Sequence, residues 1–339
     1  MYFEGSKLRI VALDLVRFIA AMAVVLYHYT AREGFTSFET LAEVTKFGYL
    51  GVPLFFMISG YVIALSAKNR TPTEFAISRF VRLYPAYWCG ILFTISVGAI
   101  YGTYSPSIDV ILANATMLND YFNIENIDGV YWTLQAELKF YGCVFLLLLT
   151  GIFDKHKIWL SIWLALTTVF LIIEQPFFMS WFISPYYSPF FISGIAFYFI
   201  HREGNNRFNL VILFGSLILS SVVAFNQASS FFSASWDDKL VAVFIIWGFF
   251  ILFYALVRGK INLKQRKIYL VLGGMTYPLY LIHGFAGRTI IDNYRFAYSD
   301  VFIVSMTVLF MLSIAWLIHV AFEQKVATPF KVFLMAKLN

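Results

Sequence analysis

Charged residues are scarce in this sequence. Of its 339 residues, 13% are Asp, Glu, Lys or Arg, whereas a soluble domain carries about 25%. Hydrophobic residues make up 60% of the chain and aromatic residues 20%. A surface built with so little charge would expose large apolar patches to water. The composition therefore excludes a soluble globular enzyme, a disordered chain and a fibrous protein. It predicts an all-α protein that crosses a membrane many times.

Cysteine is scarce as well. The two cysteines, Cys89 and Cys143, both lie in apolar runs. We expect buried thiols there, with no disulfide framework and no metal site. The net charge of +6 would suggest nucleic acid in a soluble protein. In a membrane protein it is better explained by basic cytoplasmic loops, so no nucleic-acid partner is expected.

Apolar runs of about 20 residues predict about ten transmembrane helices. The runs are 8–30, 47–67, 83–103, 130–153, 158–174, 178–200, 208–227, 239–257, 268–287 and 300–322. The more polar stretch 104–129 is predicted to be a loop, with room for a short interfacial helix. Residues 1–339 are predicted to form one transmembrane domain, because the remaining loops are too short for an appended soluble domain.

The distribution of Lys and Arg predicts the orientation in the membrane. If both termini are cytoplasmic, 18 of the 25 basic residues fall in cytoplasmic segments and five in outer segments. The other two, Arg17 and Lys139, lie within predicted spans. This asymmetry is the one that the positive-inside rule describes, so both termini are predicted to be cytoplasmic.

The first span contains two ionisable side chains on one face. Arg17 and His28 are eleven residues apart, which in an α-helix is three turns plus about 20°, or about 16 Å along the axis. A polar stripe in a membrane cavity is one interpretation, and a histidine there is suited to be a general base. The other is an Asp14–Arg17 pair with His28 at the outer interface.

The fourth and second spans contribute further polar side chains. Glu137 lies deep enough in the fourth span to need a partner, and His28 is predicted at a similar depth. Trp132 near its start suits an interfacial belt. Ser59 lies in a segment with Pro53 and Gly60, which helix packing alone can explain.

Two more segments stand out. Arg79 and Arg82 lie at i and i+3 beside aromatic residues in a predicted cytoplasmic stretch. Guanidinium pairs suit phosphate recognition, although stop-transfer basicity or lipid headgroup binding is equally consistent. His283 is a second histidine within the predicted spans, and by itself such a residue is more often packed than catalytic.

Five ordered motifs resemble the membrane-bound acyltransferase 3 family, whose members acylate sugars and other acceptors. The resemblance covers about residues 8 to 323, and the Arg-x10-His spacing of Arg17 and His28 is its most specific element. The motifs are Asp14 to His28, Gly51 to Tyr61, Arg79 to Pro85, Tyr131 to Tyr141 and Tyr277 to His283.

The resemblance implies a function. His28 would be the catalytic histidine, Arg17 its essential companion, and Arg79 and Arg82 would meet an acyl-CoA donor, most often acetyl-CoA. The expected enzyme is an O-acetyltransferase of a bacterial inner membrane. Its acceptor would be a cell-surface polysaccharide, a lipopolysaccharide or a lipid-linked glycan, and its other partners membrane lipids.

We add expectations of our own to those roles. Glu137 is predicted to orient His28, in the way an acidic residue orients the base of a triad. Ser59 and Trp132 are predicted to contact the donor near its reacting carbonyl, and Tyr84 to line the donor site. The alternative function is a polytopic transporter or flippase of a glycan or small molecule, which would also bury Arg, His and Glu within its spans.

Overall fold

The computed structural model describes residues 10–32 and 35–336. Residues 8 and 9 of the predicted first span lie outside the described residues, as do Lys7 and Lys337 of the predicted cytoplasmic segments. The described residues form helices and no β-strand. The all-α class predicted from the composition is confirmed, and so is a polytopic membrane protein.

Fifteen α-helices follow one another along the described chain, joined by turns, short 3-10 helices and two π-helical segments. They are α1 Ala12–Leu26, α2 Glu39–Thr45, α3 Gly51–Ala67, α4 Pro72–Ile100, α5 Ile108–Ala115, α6 Trp132–Leu149, α7 His156–Ile173, α8 Met179–Phe182, α9 Ser188–Glu203, α10 Arg207–Gln227, α11 Trp236–Val257, α12 Lys267–Ile282, α13 Phe285–Tyr294, α14 Asp300–Ile318 and α15 Thr328–Ala336. The π-helical segments are Tyr27–Ala31 and His319–Ala327.

Eight helical segments of the described chain are long and apolar enough to cross a membrane. The pair α12 and α13 is bent by 68° and would make a ninth if it counts as one span. The predicted span 178–200 instead forms the four-residue α8 and the 16-residue α9. At 16 residues α9 is shorter than the roughly 20 that cross a hydrocarbon core.

Two other predicted boundaries differ from the structure. The predicted cytoplasmic stretch with Arg79 and Arg82 is the first part of α4, a helix of 29 residues. The predicted span 268–287 is broken at His283 and Gly284. Within the predicted loop 104–129, α5 is the short helix for which the sequence left room.

The chain divides into two compact units. Unit 1 takes in the described parts of 1–16, 50–75 and 136–265. In it, α9 packs against α3, α7, α10 and α11, and its residues 188–200 are all buried. The approach of α3 to α9 depends on two glycines. A Cβ on Gly60 would overlap the carbonyl of Phe191, and a Cβ on Gly194 would overlap that of Met57. Small residues are the usual means of close helix packing in membranes.

Unit 2 takes in the described parts of 17–49, 76–135 and 266–339. Here α14 packs against α12 and α13, while α2 and α13 pack against the π-helical segment Tyr27–Ala31. These contacts bring the end of the first span beside the break between α12 and α13. Unit 2 therefore contains both His28 and His283.

Large apolar side chains are exposed along the outer faces of the helices. Leu92 is 65% exposed, Ile251 71% and Phe214 64%. In water such surfaces would be an aggregation hazard, but in a bilayer they face lipid tails at no cost.

Candidate functional site

His28 lies in the π-helical segment that continues α1. The residue is buried, with 8% of its surface exposed. Nη1 of Arg32 approaches its Nδ1 at 3.4 Å. Because a guanidinium can only donate, Nδ1 is the acceptor, and the neutral ring is assigned its proton on Nε2. A distance of 3.4 Å is long for a hydrogen bond. Single-turn π-helical segments occur often at functional sites.

His283 lies at the break between α12 and α13, fully buried. Its ring centroid is 5.2 Å from that of His28, with an angle of 62° between the planes. Its Nδ1 is 2.8 Å from the carbonyl oxygen of Tyr280. A carbonyl only accepts, so Nδ1 carries the proton and Nε2 the lone pair. That Nε2 has no hydrogen-bond partner among the described residues. The sequence had marked His283 only as a second histidine, since by itself it suggested packing.

Asp128 holds the break in place. Its Oδ2 accepts a hydrogen bond of 2.7 Å from the backbone N–H of Phe285, and its Oδ1 accepts one of 3.2 Å from that of Val130. A Cβ on Gly284 would overlap the carboxylate, so glycine permits this approach. Burial raises the pKa of Asp128 to about 6, against the two backbone N–H groups, which lower it.

Three more side chains tie the same break to its surroundings. The hydroxyl of Tyr29 donates to the carbonyl of His283 at 2.9 Å, and that of Tyr131 donates to the carbonyl of Leu281 at 3.2 Å. Thr133 donates to the hydroxyl of Tyr280 at 2.9 Å. Sequence reasoning missed Asp128 and Tyr29. The available signal was that each residue lies next to a motif. Asp128 precedes the fourth-span motif, and Tyr29 follows His28.

The two arginines predicted to bind the donor are on α4. Nη1 of Arg82 donates to Oε1 of Glu323 at 2.6 Å, and the guanidinium lies 5.7 Å from the centre of the Tyr277 ring. The Arg82 side chain is 40% exposed and that of Glu323 is 9% exposed. Arg79 donates to the hydroxyl of Ser78 at 3.1 Å. Arg82 thus keeps an exposed side, although part of its guanidinium is occupied by Glu323.

The Glu323 carboxylate also binds a further histidine, His319. Oε2 of Glu323 accepts from Nδ1 of His319 at 2.6 Å, and Nε2 of Gln324 donates to Nε2 of His319 at 3.0 Å. Both ring nitrogens of this histidine therefore have partners. A Cβ on Gly274 would overlap the same ring, so α12 packs directly against it. We call Arg82, Glu323, His319 and Gln324 the Arg82 network.

Tyr84, Arg17 and Trp132 complete the predicted residues of unit 2. The hydroxyl of Tyr84 donates to the carbonyl of Thr116 at 2.8 Å, and its ring stacks on Phe80 at 4.6 Å. Arg17 is half-buried in α1, and Trp132 is the half-buried first residue of α6. The helix α1 is a regular α-helix up to Leu26. The α-helical geometry used to place Arg17 and His28 on one face therefore applies to all but the last two residues before and including His28.

The predicted residues of unit 1 contact one another. Oε1 of Glu137 accepts a hydrogen bond of 2.5 Å from the hydroxyl of Ser59 and another of 2.5 Å from that of Tyr141. The partner that a buried carboxylate requires is therefore present as a pair of hydroxyls. The predicted pairing of Glu137 with His28 and the predicted donor contact of Ser59 stay predictions.

Comparison with known proteins assigns a class to this arrangement. The model of the acyltransferase 3 family, described as an acyltransferase domain, matches residues 10–320. The acyltransferase MdmB of Streptomyces mycarofaciens is 26% identical over 147 residues, which cover 39% of this chain and 38% of that protein. No solved structure matches the chain significantly.

A second relative, from Komagataeibacter xylinus, is named "Putative membrane-bound transacylase BcsY". It is 27% identical over 163 residues, which cover 43% of this chain and 39% of that protein. The chain thus aligns with about two fifths of each of these curated relatives.

Proposed function

The chain belongs to the acyltransferase 3 family, and we propose that it is a membrane O-acyltransferase of a bacterial inner membrane. It would move an acetyl group from cytoplasmic acetyl-CoA to a hydroxyl of a cell-surface or lipid-linked glycan. The observation that carries the proposal is the family match over residues 10–320, which includes the buried His28. The names of both relatives, an acyltransferase and a transacylase, support acyl transfer as the reaction class.

His28 is the base in this proposal. With its proton on Nε2, the ring has its lone pair on Nδ1, which removes the proton of the acceptor hydroxyl as the oxygen attacks the thioester carbonyl. Arg32 leaves Nδ1 when the hydroxyl arrives, since their hydrogen bond of 3.4 Å is weak. Collapse of the tetrahedral intermediate breaks the C–S bond, and His28 returns the proton to the CoA sulfur.

A cation near the base stabilises the tetrahedral oxyanion. Arg32 approaches His28 at 3.4 Å, and a guanidinium close to a developing negative charge lowers the barrier. Arg17 lies about 16 Å away along the helix axis and keeps its predicted role as the companion of His28, in contact with the donor. Trp132 would supply an indole N–H to the donor. Ser59 keeps the role predicted for it, in contact with the donor, while the Glu137 carboxylate binds the hydroxyls of Ser59 and Tyr141.

The donor is proposed to bind at α4. Arg79 and Arg82 would contact the CoA phosphates, and Tyr84 would line the same site. A guanidinium has five N–H donors, so Arg82 can keep Glu323 while its exposed side binds a phosphate oxygen. The stacked rings of Phe80 and Tyr84 suit the adenine of CoA, because purines stack on aromatic faces.

Cells with and without the gene provide the test of function. We expect the repeat unit of one surface glycan to gain the mass of one acetyl group when the gene is present, and to lose it with His28→Ala. An unchanged glycan in both strains, with the protein detected in the membrane, would refute a glycan acceptor.

A thermal assay in detergent separates the enzyme from the alternative transporter. An enzyme that uses acetyl-CoA should be stabilised by it, by about 2.7 kcal/mol at 100 times Kd, whereas a glycan exporter should not respond. A second assay addresses the order of steps. A stoichiometric label on His28 after incubation with labelled acetyl-CoA and no acceptor would replace direct transfer with an acyl-histidine route.

A further inference from the structure

Of the two ring nitrogens of His283, Nδ1 has a hydrogen-bond partner and Nε2 has none among the described residues. Nδ1 donates to the carbonyl of Tyr280, so Nε2 is an acceptor. This Nε2 is buried and has no hydrogen-bond partner within the described chain. Leaving a buried acceptor unpaired costs the free energy of removing it from water. Most such groups are paired, so an exception calls for an explanation.

The ring beside this acceptor is that of His28. Its own Nδ1 faces the guanidinium of Arg32, which leaves the proton on Nε2. His28 is therefore a donor and His283 an acceptor, with 5.2 Å between ring centroids. At this separation, rotation of the rings can bring two facing nitrogens to a hydrogen-bond distance of about 2.9 Å.

We propose that His283 is a positioning residue for the base: its Nε2 accepts the Nε2 proton of His28. This inference rests on the proposed function of His28 as the base. The contact fixes His28 in the tautomer whose lone pair is on Nδ1, the role that an acidic residue has in a catalytic triad. Because His283 is neutral and its Nδ1 is already committed to Tyr280, it can fix the tautomer without adding a charge to the membrane interior.

The proton balance follows from this arrangement. The acceptor O–H bond breaks and a bond between hydrogen and Nδ1 of His28 forms, so His28 becomes an imidazolium. Its Nε2 proton stays in place and its hydrogen bond to His283 strengthens, because donors that carry charge make stronger hydrogen bonds. The proton on Nδ1 then passes to the sulfur of CoA when the C–S bond breaks, and the neutral tautomer is restored.

Rival roles for His283 are packing and the hydrogen bond to Tyr280. Two substitutions separate these roles from the proposed one. In His283→Asn the side-chain amide can keep the donation to Tyr280 but has no atom at the position of Nε2. In His283→Gln the longer amide reaches the position of Nε2 and can accept there, while the donation to Tyr280 is lost.

We expect opposite rankings in activity and stability. His283→Asn should lower kcat by between about 10-fold and 1,000-fold, with KM for acetyl-CoA nearly unchanged, whereas His283→Gln should keep more of kcat. In thermal unfolding the order should reverse, with the Asn variant the more stable. A His283→Asn enzyme with wild-type kcat would overturn the proposal. So would a Gln variant that loses activity only in proportion to its loss of folded protein.

A measurement that needs no acceptor tests the same contact. In ¹⁵N NMR spectra of histidine-labelled protein in lipid, His28 of the wild type should be protonated on Nε2, and His283→Asn should shift part of it to Nδ1. A wild-type His28 protonated on Nδ1 would overturn the proposal whether or not glycan acetylation is found. Conversely, if His28 is protonated on Nε2 as expected but the protein does not use acetyl-CoA, the proposed function is wrong and the contact with His283 stands.

His201 provides the matched control. It is a histidine of unit 1 whose Nδ1 is 2.6 Å from the hydroxyl of Tyr61. His201→Asn removes an imidazole with a comparable hydrogen bond, and it should leave both kcat and the NMR signal of His28 unchanged. A drop in kcat as large as that of His283→Asn would show that loss of any hydrogen-bonded imidazole has this effect, and would overturn the specific role of His283.

Discussion

His28 and His319 both lie in π-helical segments of unit 2, but their surroundings differ. Both ring nitrogens of His319 have side-chain partners, and its carboxylate partner Glu323 in turn binds Arg82. His28 has one long hydrogen bond to Arg32, and the histidine beside it has a buried nitrogen without a partner in the described structure. The Arg82 network has all its hydrogen bonds and is held in one arrangement. The pair of His28 and His283 has an unused acceptor nitrogen and can still bind or exchange a proton.

The two regions also differ in what their substitution should change. Removing one partner from a satisfied network leaves a buried charge or acceptor behind, which lowers stability. Removing a group whose hydrogen bonds are incomplete should lower stability less and activity more. The predictions below test this difference, from the largest expected effect to the smallest.

His28→Ala should reduce acetyl transfer by between about 100-fold and 10,000-fold, which is the usual contribution of a general base. The measurement is the initial rate with labelled acetyl-CoA in detergent or nanodiscs. His28→Gln serves as a second variant because it retains more volume, and a thermal scan confirms that both fold. Wild-type rates in a folded His28→Ala protein would show that His28 has no catalytic role, and the proposed difference between His28 and His319 would then be wrong.

Arg79→Ala combined with Arg82→Ala should raise KM for acetyl-CoA by about 10-fold to 100-fold, with a smaller effect on kcat. A charge-assisted hydrogen bond to phosphate is worth about 1.5–3 kcal/mol, and solvent exposure of Arg82 lowers the sum for the two arginines to about the value of one. Steady-state kinetics at varied acetyl-CoA measure the change. Unchanged affinity would favour the alternative role of these arginines, as stop-transfer or lipid-binding residues.

Glu323→Gln should destabilise the protein by about 2 kcal/mol, less than the roughly 3–5 kcal/mol for breaking a fully buried pair, because Arg82 is partly exposed. The Gln amide keeps the size of the side chain but has one acceptor in place of two, so the loss combines the charge with the hydrogen bond to Arg82 or to His319. Urea or thermal unfolding in detergent measures it. If the variant lost activity but no stability, the Arg82 network would have a catalytic role like that proposed for His28 and His283, and not a structural one.

Asp128 should have the smallest effect on activity, and its ionisation should appear instead as a pH dependence of stability. Its pKa is raised from 3.8 to about 6 in the folded chain, so the folded state binds the proton more tightly than the unfolded state does. The contribution is complete below about pH 4 and is lost as the pH rises to about 6, by about 3 kcal/mol in all.

Comparison with Asp128→Asn isolates this effect from the other carboxyl groups. The melting temperature of the wild type, relative to that of the variant, should fall between pH 4 and pH 6 and then level off. Parallel curves would mean that Asp128 titrates as it does in the unfolded chain.

Much of the fold could be predicted because a span is a local property. An apolar run of sufficient length must form its backbone hydrogen bonds internally, so α3, α10 and α11 follow from hydropathy. α9 was placed ten residues too early at its start, since residues 178–187 are apolar like the helix that follows. The break at His283 and Gly284 was missed because the packing of Asp128 against Gly284, from a distant part of the chain, holds it open.

The residues of the candidate site were chosen from the sequence, whereas most of their contacts were not predicted. The motif spacing singled out His28, and the match over residues 10–320 confirms the acyltransferase 3 family. The partners of Arg82 and Glu137 were not predicted. Arg82 is 241 residues from Glu323, and Glu137 is 78 residues from Ser59. Side chains so far apart in the chain meet only through helix packing, which no local pattern encodes.

The amino-acid sequence by itself determined that this protein lies in a lipid bilayer and which family it belongs to. A chain with 13% charged residues can bury its apolar surface only in a bilayer, and the ordered motifs identify an acyltransferase 3 protein. Only the tertiary structure decided which polar groups are satisfied. Hydrogen bonds between side chains require positions fixed to within a few tenths of an ångström, and packing sets those positions. Packing thus brings Arg82 to Glu323 and places the ring centroids of His28 and His283 5.2 Å apart, while Nε2 of His283 has no hydrogen-bond partner in the described chain.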